Sequence, residues 1–254
     1  MMTDKRREDL QRRINIMKGF GSLAGATILE IGADWWGFAA QMLVDAGAAK
    51  IISTNYTKNW PTETRGVLEK RKADARKLEE SVEPQSIDIV FGVAVLEHID
   101  GLKEFFASAK AVLKPGGLFF VHGGPIWSSG GGHHVFVNGE TRKYRFGDRA
   151  NNPILNWSHL IHTKQSLIDD LVARNISAGD AEKIGHWVYE GDGINRVGFR
   201  TMCETYAACG LEEIDRQINA FAGPSNELLD AIEGGPYGGQ ERYDVTGVTF
   251  AGRA

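Results

Sequence analysis

The chain has 254 residues, 42% of them hydrophobic and 24% charged, which supplies enough apolar side chain for a substantial core. A net charge of −4 excludes a global basic field of the kind that holds nucleic acid or an anionic membrane. The longest apolar run, residues 87–96, is interrupted by Asp88 and falls far short of the ~20 residues a membrane helix needs.

Residues 4–20 are expected to form a helix with Leu10, Ile14 and Met17 on one face. Its basic residues Lys5, Arg6, Arg7, Arg12 and Arg13 alternate with Asp4, Glu8 and Asp9, the pattern of a solvated surface. A first strand over residues 27–31 precedes a helix over 38–45 that stops at Ala46-Gly47, and a second strand follows over 50–54. After a polar helical stretch come a short third strand at 71–74, a fourth at 87–93, a helix at 102–113 and a fifth strand at 117–122.

From residue 123 to 195 this rhythm fails, beginning at Ser128-Ser129-Gly130-Gly131-Gly132-His133-His134, with one helix expected near 164–173. The pattern resumes with a helix at 199–208, a strand at 211–218 and a last strand at 244–251. The expectation is one α/β domain over residues 1–254: a doubly wound, mostly parallel, seven-stranded sheet, an N-terminal helix within 1–24, and an insertion at 123–195 acting as a substrate lid. Loops of such length in a compact domain are usually functional. Cys203 and Cys209 make neither a disulfide framework nor a metal pair, and the charged N-terminus has no signal-peptide pattern, so a reducing, cytoplasmic setting is expected.

Four segments carry the chemistry: Ile28-Leu29-Glu30-Ile31-Gly32-Ala33-Asp34-Trp35-Trp36-Gly37, Lys72-Ala73-Asp74-Ala75, Gly92-Val93-Ala94-Val95-Leu96-Glu97-His98-Ile99 and Leu113-Lys114-Pro115-Gly116-Gly117. In this order and spacing, over residues 25–122 with a fainter echo at 199–218, they resemble the class I S-adenosylmethionine-dependent methyltransferases of the type 11/12-like group. The resemblance implies a Rossmann-like sheet, S-adenosylmethionine as cofactor and S-adenosylhomocysteine as product.

It also implies ligand-binding residues. Glu30 would face the cofactor ammonium group, and Gly32 and Ala33 would bring backbone close to it. Asp34 and Trp36 stand where the family usually carries glycine, so Asp34 is a candidate ammonium ligand. Either Trp35 or Trp36 would pack over the cofactor, or both would face the core. Asn55 replaces the usual ribose-binding acid, Tyr56 would stack on adenine, and Asp74 with Ala75 would meet the adenine edge. Gly92 and Val93 would offer backbone near the sulfonium.

A methyl sulfonium is already an activated electrophile, so the protein must chiefly align an unprotonated nucleophile and supply a base, most often histidine. His133 and His134 are candidates for substrate contact or general base, and His98 for a catalytic or cofactor-facing role. His159 and His162, near Trp157, match no metal signature, and no metal is expected. The acidic balance and long polar insertion point to a small polar acceptor such as a sugar, glycan precursor or secondary metabolite, with O-methylation favoured. Nucleic-acid and membrane partners are not expected, and a homodimer is compatible with the sequence. A degenerate S-adenosylmethionine-binding module with a regulatory or scaffolding role is the alternative. The missing Gly-X-Gly-X-X-Gly argues against a nicotinamide enzyme.

Overall fold

Thr3 opens the helix Asp4–Lys18 (α1) by accepting the Arg6 N–H, and Leu10, Ile14 and Met17 bury its inner face. The strand Thr27–Ile31 (β1) follows, then Phe38–Asp45 (α2), Lys50–Asn55 (β2), Glu63–Arg65 (β3), Leu68–Lys72 (β4) and Ile87–Gly92 (β5). Leu102–Val112 (α3) leads into Leu113–Gly123 (β6). In the computed structural model residues 3–239 and 242–254 are described.

The polar stretch after β2 is a β-hairpin rather than a helix. Gly66, at φ +60°, lets the chain reverse, so β3 pairs antiparallel with β4 and β4 starts at Leu68 instead of Arg71. Further on lie Phe136–Asn138 (β7), Lys143–Arg145 (β8), Ser158–Ile161 (α4), Lys164–Ala173 (α5) and Ala178–Tyr189 (α6). Phe199–Ala207 (α7), Glu212–Ala220 (β9), Asn226–Glu233 (α8) and Val245–Arg253 (β10) complete the chain.

Among the described residues eight strands form one sheet in the order β3-β4-β2-β1-β5-β6-β10-β9. Seven were expected, and β3 is the addition at the edge. The pairs β1–β2, β1–β5, β2–β4 and β5–β6 are parallel. Parallel strands must be buried on both faces, which explains the mostly apolar runs of β1 and β5, broken only by Glu30 and Asp88. Asp88 ties this sheet together at its lower end, accepting the Thr27 N–H at 2.8 Å and the Lys114 ammonium at 2.6 Å. One core cluster joins Ile14, Met17, Ile28, Leu43, Phe91 and Phe120. Another aromatic cluster stacks Tyr206 on Phe250, with Phe106 and Phe119 against Tyr206.

The chain divides into two units. One takes residues up to Gly123, Thr205–Gln217 and Thr249–Ala254; the other takes Gly124–Glu204 and Ile218–Val248. The second unit has its own apolar core, with Trp127, Tyr144, Leu160, Leu167, Ile184 and Tyr243 among its members. Helix α6 has two glycines that lower helix propensity, and Gly185 is needed because a Cβ there would lie 2.8 Å from Ile168 Cγ1 of α5. Among the described residues no helix is long and apolar enough to cross a membrane.

Candidate functional site

At the carboxyl ends of β1, β2 and β4, and along the turn after β5, lies a cavity of about 280 Å³. Open α/β sheets bind ligands at this end. Gly32, Thr54, Asn55 and Tyr56 form one side, Ala73 and Ala75 a second, and Ala94, Val95, His98 and Ile99 the rest. A larger open groove of about 910 Å³ runs between α1 and α2, but it contains none of the site residues.

The turn after β1 begins at Gly32, whose φ of +70° suits glycine. A Cβ there would also lie 2.7 Å from Val95 Cγ2. The Ala33 N–H donates to Thr54 O at 3.0 Å, and Asn55 Nδ2 donates to Ala33 O at 2.9 Å, so the first two turns are stitched together. Asp34 accepts the Trp36 N–H at 2.9 Å and the Phe38 N–H at 3.2 Å. Its carboxylate therefore satisfies the donors at the start of α2 that a glycine-rich turn would offer to a ligand. Trp35 and Trp36 are 49% and 71% exposed, so neither faces the core. Trp35 packs against Trp60 at a ring separation of 5.3 Å.

Beneath the turn, Glu30 is buried and accepts the Ser53 hydroxyl. Burial pushes its carboxyl up to about 7; Asp34 adds to this, whereas the Ser53 hydrogen bond and Lys70 oppose it. Glu30 and Asp34 thus make an acidic pair that an ammonium group would complement. Asn55 is more constrained than the sequence suggests. Its Oδ1 already accepts from the Thr57 N–H at 2.9 Å and from the Thr57 hydroxyl, which leaves its second Nδ2 hydrogen as the group to offer a diol.

Asp74 is held by Arg76, whose guanidinium reaches Oδ2 at 2.7 Å while its N–H reaches Oδ1 at 3.0 Å. The Arg76 guanidinium keeps the Asp74 carboxyl below its ordinary range. At this corner Ala73 and Ala75 meet the cavity. Tyr56 is 64% exposed, with the Lys72 ammonium 5.9 Å from its ring centre. The fit to a nucleoside is therefore selective: apolar walls and an acidic pair are present, while the Asn55 oxygen and the Asp74 carboxylate are engaged by the protein.

At the end of β5, Gly92 is buried and has no room for a side chain, a Cβ lying 2.8 Å from Val95 Cγ1. Val93 packs on the core, so Ala94 and Val95 line the cavity where the sequence pointed to Gly92 and Val93. His98 is exposed on the turn Leu96–His98 and lies 3.8 Å from Glu97. Ser53, Thr54, Ala94, Val95 and Ile99 were not assigned from sequence. Ser53 was within reach of the pattern, because parallel pairing sets it opposite Glu30.

His133 and His134 belong to the second unit and are buried. His133 Nδ1 accepts the Val135 N–H at 3.1 Å, which puts its proton on Nε2. That tautomer has no lone pair at Nε2 for proton abstraction. His134 Nδ1 donates to Gly132 O at 2.9 Å, so in the neutral ring the lone pair is on Nε2, as a general base requires. His159 packs 5.5 Å from His133, between ring centres, and donates through Nε2 to Trp127 O at 2.9 Å. Burial drives the His133 pKa well down and lowers that of His159 to about 4.

Two opposite pH dependences follow. Glu30 keeps its proton up to about 7 when folded and loses it near 4.5 when unfolded, so its share of stability falls as pH rises across that window. Glu30→Gln should raise stability at pH 8 by on the order of 3 kcal/mol in urea unfolding and add little at pH 4. Equal stabilities at pH 8 would contradict the buried carboxyl. His159 stays neutral down to about 4 while the unfolded chain protonates at 6.5, so its contribution is present above 6.5 and is lost as pH falls. At pH 5, His159→Gln, which keeps a donor for Trp127 O, should recover about 2 kcal/mol of acid-induced loss. An unchanged pH slope would refute this.

Residues 29–121 match the model of a methyltransferase domain family. Wheat (Triticum aestivum) phosphoethanolamine N-methyltransferase 1 is 30% identical over 141 residues, covering 51% of this chain and 28% of that one. The chain thus matches little more than a quarter of that relative's length. Among solved structures, an S-adenosylmethionine-dependent methyltransferase from Mesorhizobium loti has a TM-score of 0.55 at 13% identity, covering 95% of this chain and 96% of its own. Haemonchus contortus phosphoethanolamine N-methyltransferase 2, in complex with phosphomonomethylethanolamine and S-adenosylhomocysteine, has a TM-score of 0.52 at 14% identity, covering 96% of this chain and 52% of its own. At these identities the structures establish the fold. Motif order, strand order and the family match agree: over residues 29–121 the chain is similar to the methyltransferase domain family, on a fold shared with S-adenosylmethionine-dependent methyltransferases.

Proposed function

We propose that the protein transfers the methyl group of S-adenosylmethionine to a small polar acceptor, a hydroxyl compound by preference. The observation that carries this reading is the cavity at Gly32 with its largely apolar walls, the glycine being flanked in sequence by Glu30 and Asp34. The bound cofactor would supply an activated methyl sulfonium. The chain's own residues would do the rest.

Glu30 and Asp34 would attract the ammonium group, and the Asn55 amide would donate one hydrogen bond to the ribose. Tyr56 would cover the adenine, whose edge would meet the backbone at Ala73 to Ala75 rather than the Asp74 carboxylate. Ala94 and Val95 would replace Gly92 and Val93 as the wall nearest the sulfur. Acceptor recognition falls to the segment 123–195, and His134, with its lone pair on Nε2, is the preferred base over His133 and the exposed His98.

A small amine is the second acceptor class, favoured by the names of the wheat and Haemonchus relatives. An ammonium acceptor must also lose a proton before it attacks, so the same base would serve.

Calorimetry with S-adenosylhomocysteine should give micromolar binding, and silence at millimolar ligand would sink the reading. With hydroxyl and amine acceptors in a methyl-transfer panel, His134→Ala should lower turnover by roughly 10²- to 10⁴-fold while leaving product-cofactor affinity intact. His133→Ala should spare more activity, and equal turnover in the two variants would dismiss His134 as the base.

A further inference from the structure

We propose that His122 is a positioning residue for the cofactor, its imidazole fixing the turn after β5 that walls the cavity. The inference rests on the cofactor reading above and adds a residue that neither the motifs nor the cavity lining contains.

His122 lies near the end of β6, the strand beside β5, and is buried. It accepts two consecutive backbone N–H groups of the turn. Nδ1 takes the Ala94 N–H at 3.3 Å and the main-chain oxygen takes the Val95 N–H at 3.1 Å. Both residues line the cavity. Ala94 has a φ of +55°, a left-handed conformation that costs a residue with a side chain and persists only when its surroundings impose it. Val95 is seated where a Cβ on Gly32 or Gly92 would have to go. A small displacement of Ala94 and Val95 therefore alters the cavity wall and the fit around Gly32 together.

Accepting at Nδ1 requires the neutral imidazole with its proton on Nε2. The surroundings impose that state. Burial disfavours the cation first, and Arg13 of α1 opposes a second positive charge, with a smaller push from Arg12; Asp9 alone acts the other way. Arg13 is itself buried, its Nε donating to Asp9 at 2.9 Å and its Nη1 to Thr249 Oγ1 of β10 at 3.1 Å. Helix α1 thereby contributes to the cofactor site through a residue that touches no ligand.

The alternative is that His122 only fills space between α1 and the sheet. Two substitutions separate these roles. Asparagine carries its side-chain oxygen close to where Nδ1 stands, whereas leucine fills the volume without an acceptor. His122→Leu should weaken S-adenosylhomocysteine binding about five- to tenfold, the effect of one lost hydrogen bond plus loosening of the turn. It should raise KM for S-adenosylmethionine by a similar factor with kcat within about twofold at saturation. His122→Asn should bind within about twofold of wild type, while His122→Gln, whose acceptor lies one bond farther out, should behave like the leucine variant. Should His122→Leu fold poorly, the asparagine and glutamine pair carries the comparison. Wild-type affinity in His122→Leu, or equal losses in the asparagine and glutamine variants, would overturn the assignment while leaving the cofactor reading intact. Failure of the wild-type protein itself to bind would overturn both.

Discussion

Around Val95 the tips of β1 and β5 approach so closely that neither Gly32 nor Gly92 has space for a methyl group. Much of the site depends on that contact. It fixes where the turn after β5 passes over the sheet, and it holds the φ +70° corner at Gly32 beneath it. Both glycines would be required here by packing alone, before any ligand enters. A side chain from one motif thus sets the backbone of another. This explains how segments about 60 residues apart in sequence act as one site.

The same region manages charge economically. Glu30 is buried beside Asp34, and alone it holds a proton near neutrality. Asp34 spends its carboxylate on the N–H groups that open α2. Elsewhere the polar groups expected to read the nucleoside are committed to the protein, Asn55 to Thr57 and Asp74 to Arg76. On the proposed reading, recognition would lean on Glu30, Asp34 and backbone, with less from the side chains facing ribose and adenine. In the second unit the buried imidazoles of His133 and His159 remain uncharged, and their hydrogen bonds specify tautomers.

Most of the sheet was legible in the sequence because parallel strands leave apolar runs and the helices between them show a clear stripe, as in Leu102, Phe105, Phe106, Ala109 and Val112. The hairpin of β3 and β4 was hidden by polarity: an edge strand needs little apolar surface, and Gly66 was the sole turn signal. Helix α6 was hidden by Gly179 and Gly185, the second of which tertiary packing against α5 demands. Helix α8 could have been found, since Ser225 caps it and Leu228, Leu229 and Ile232 recur at helical spacing. Sequence places the candidate site residues along motifs, but does not show their hydrogen-bonding partners. That Asn55 and Asp74 are already engaged depends on Thr57 and Arg76, each two residues on, and short-range polar competition of this kind leaves no periodic trace.

The central claim is that the space above Gly32 receives a cationic amino-acid group next to a carboxyl that is otherwise protonated. Calorimetric titration with S-adenosylhomocysteine at pH 6.5, repeated in buffers of different ionisation enthalpy, tests it directly. Binding should release about 0.8 proton as Glu30 becomes a carboxylate, and the release should vanish in Glu30→Gln. Binding with no proton released, or with protons taken up, would contradict the account.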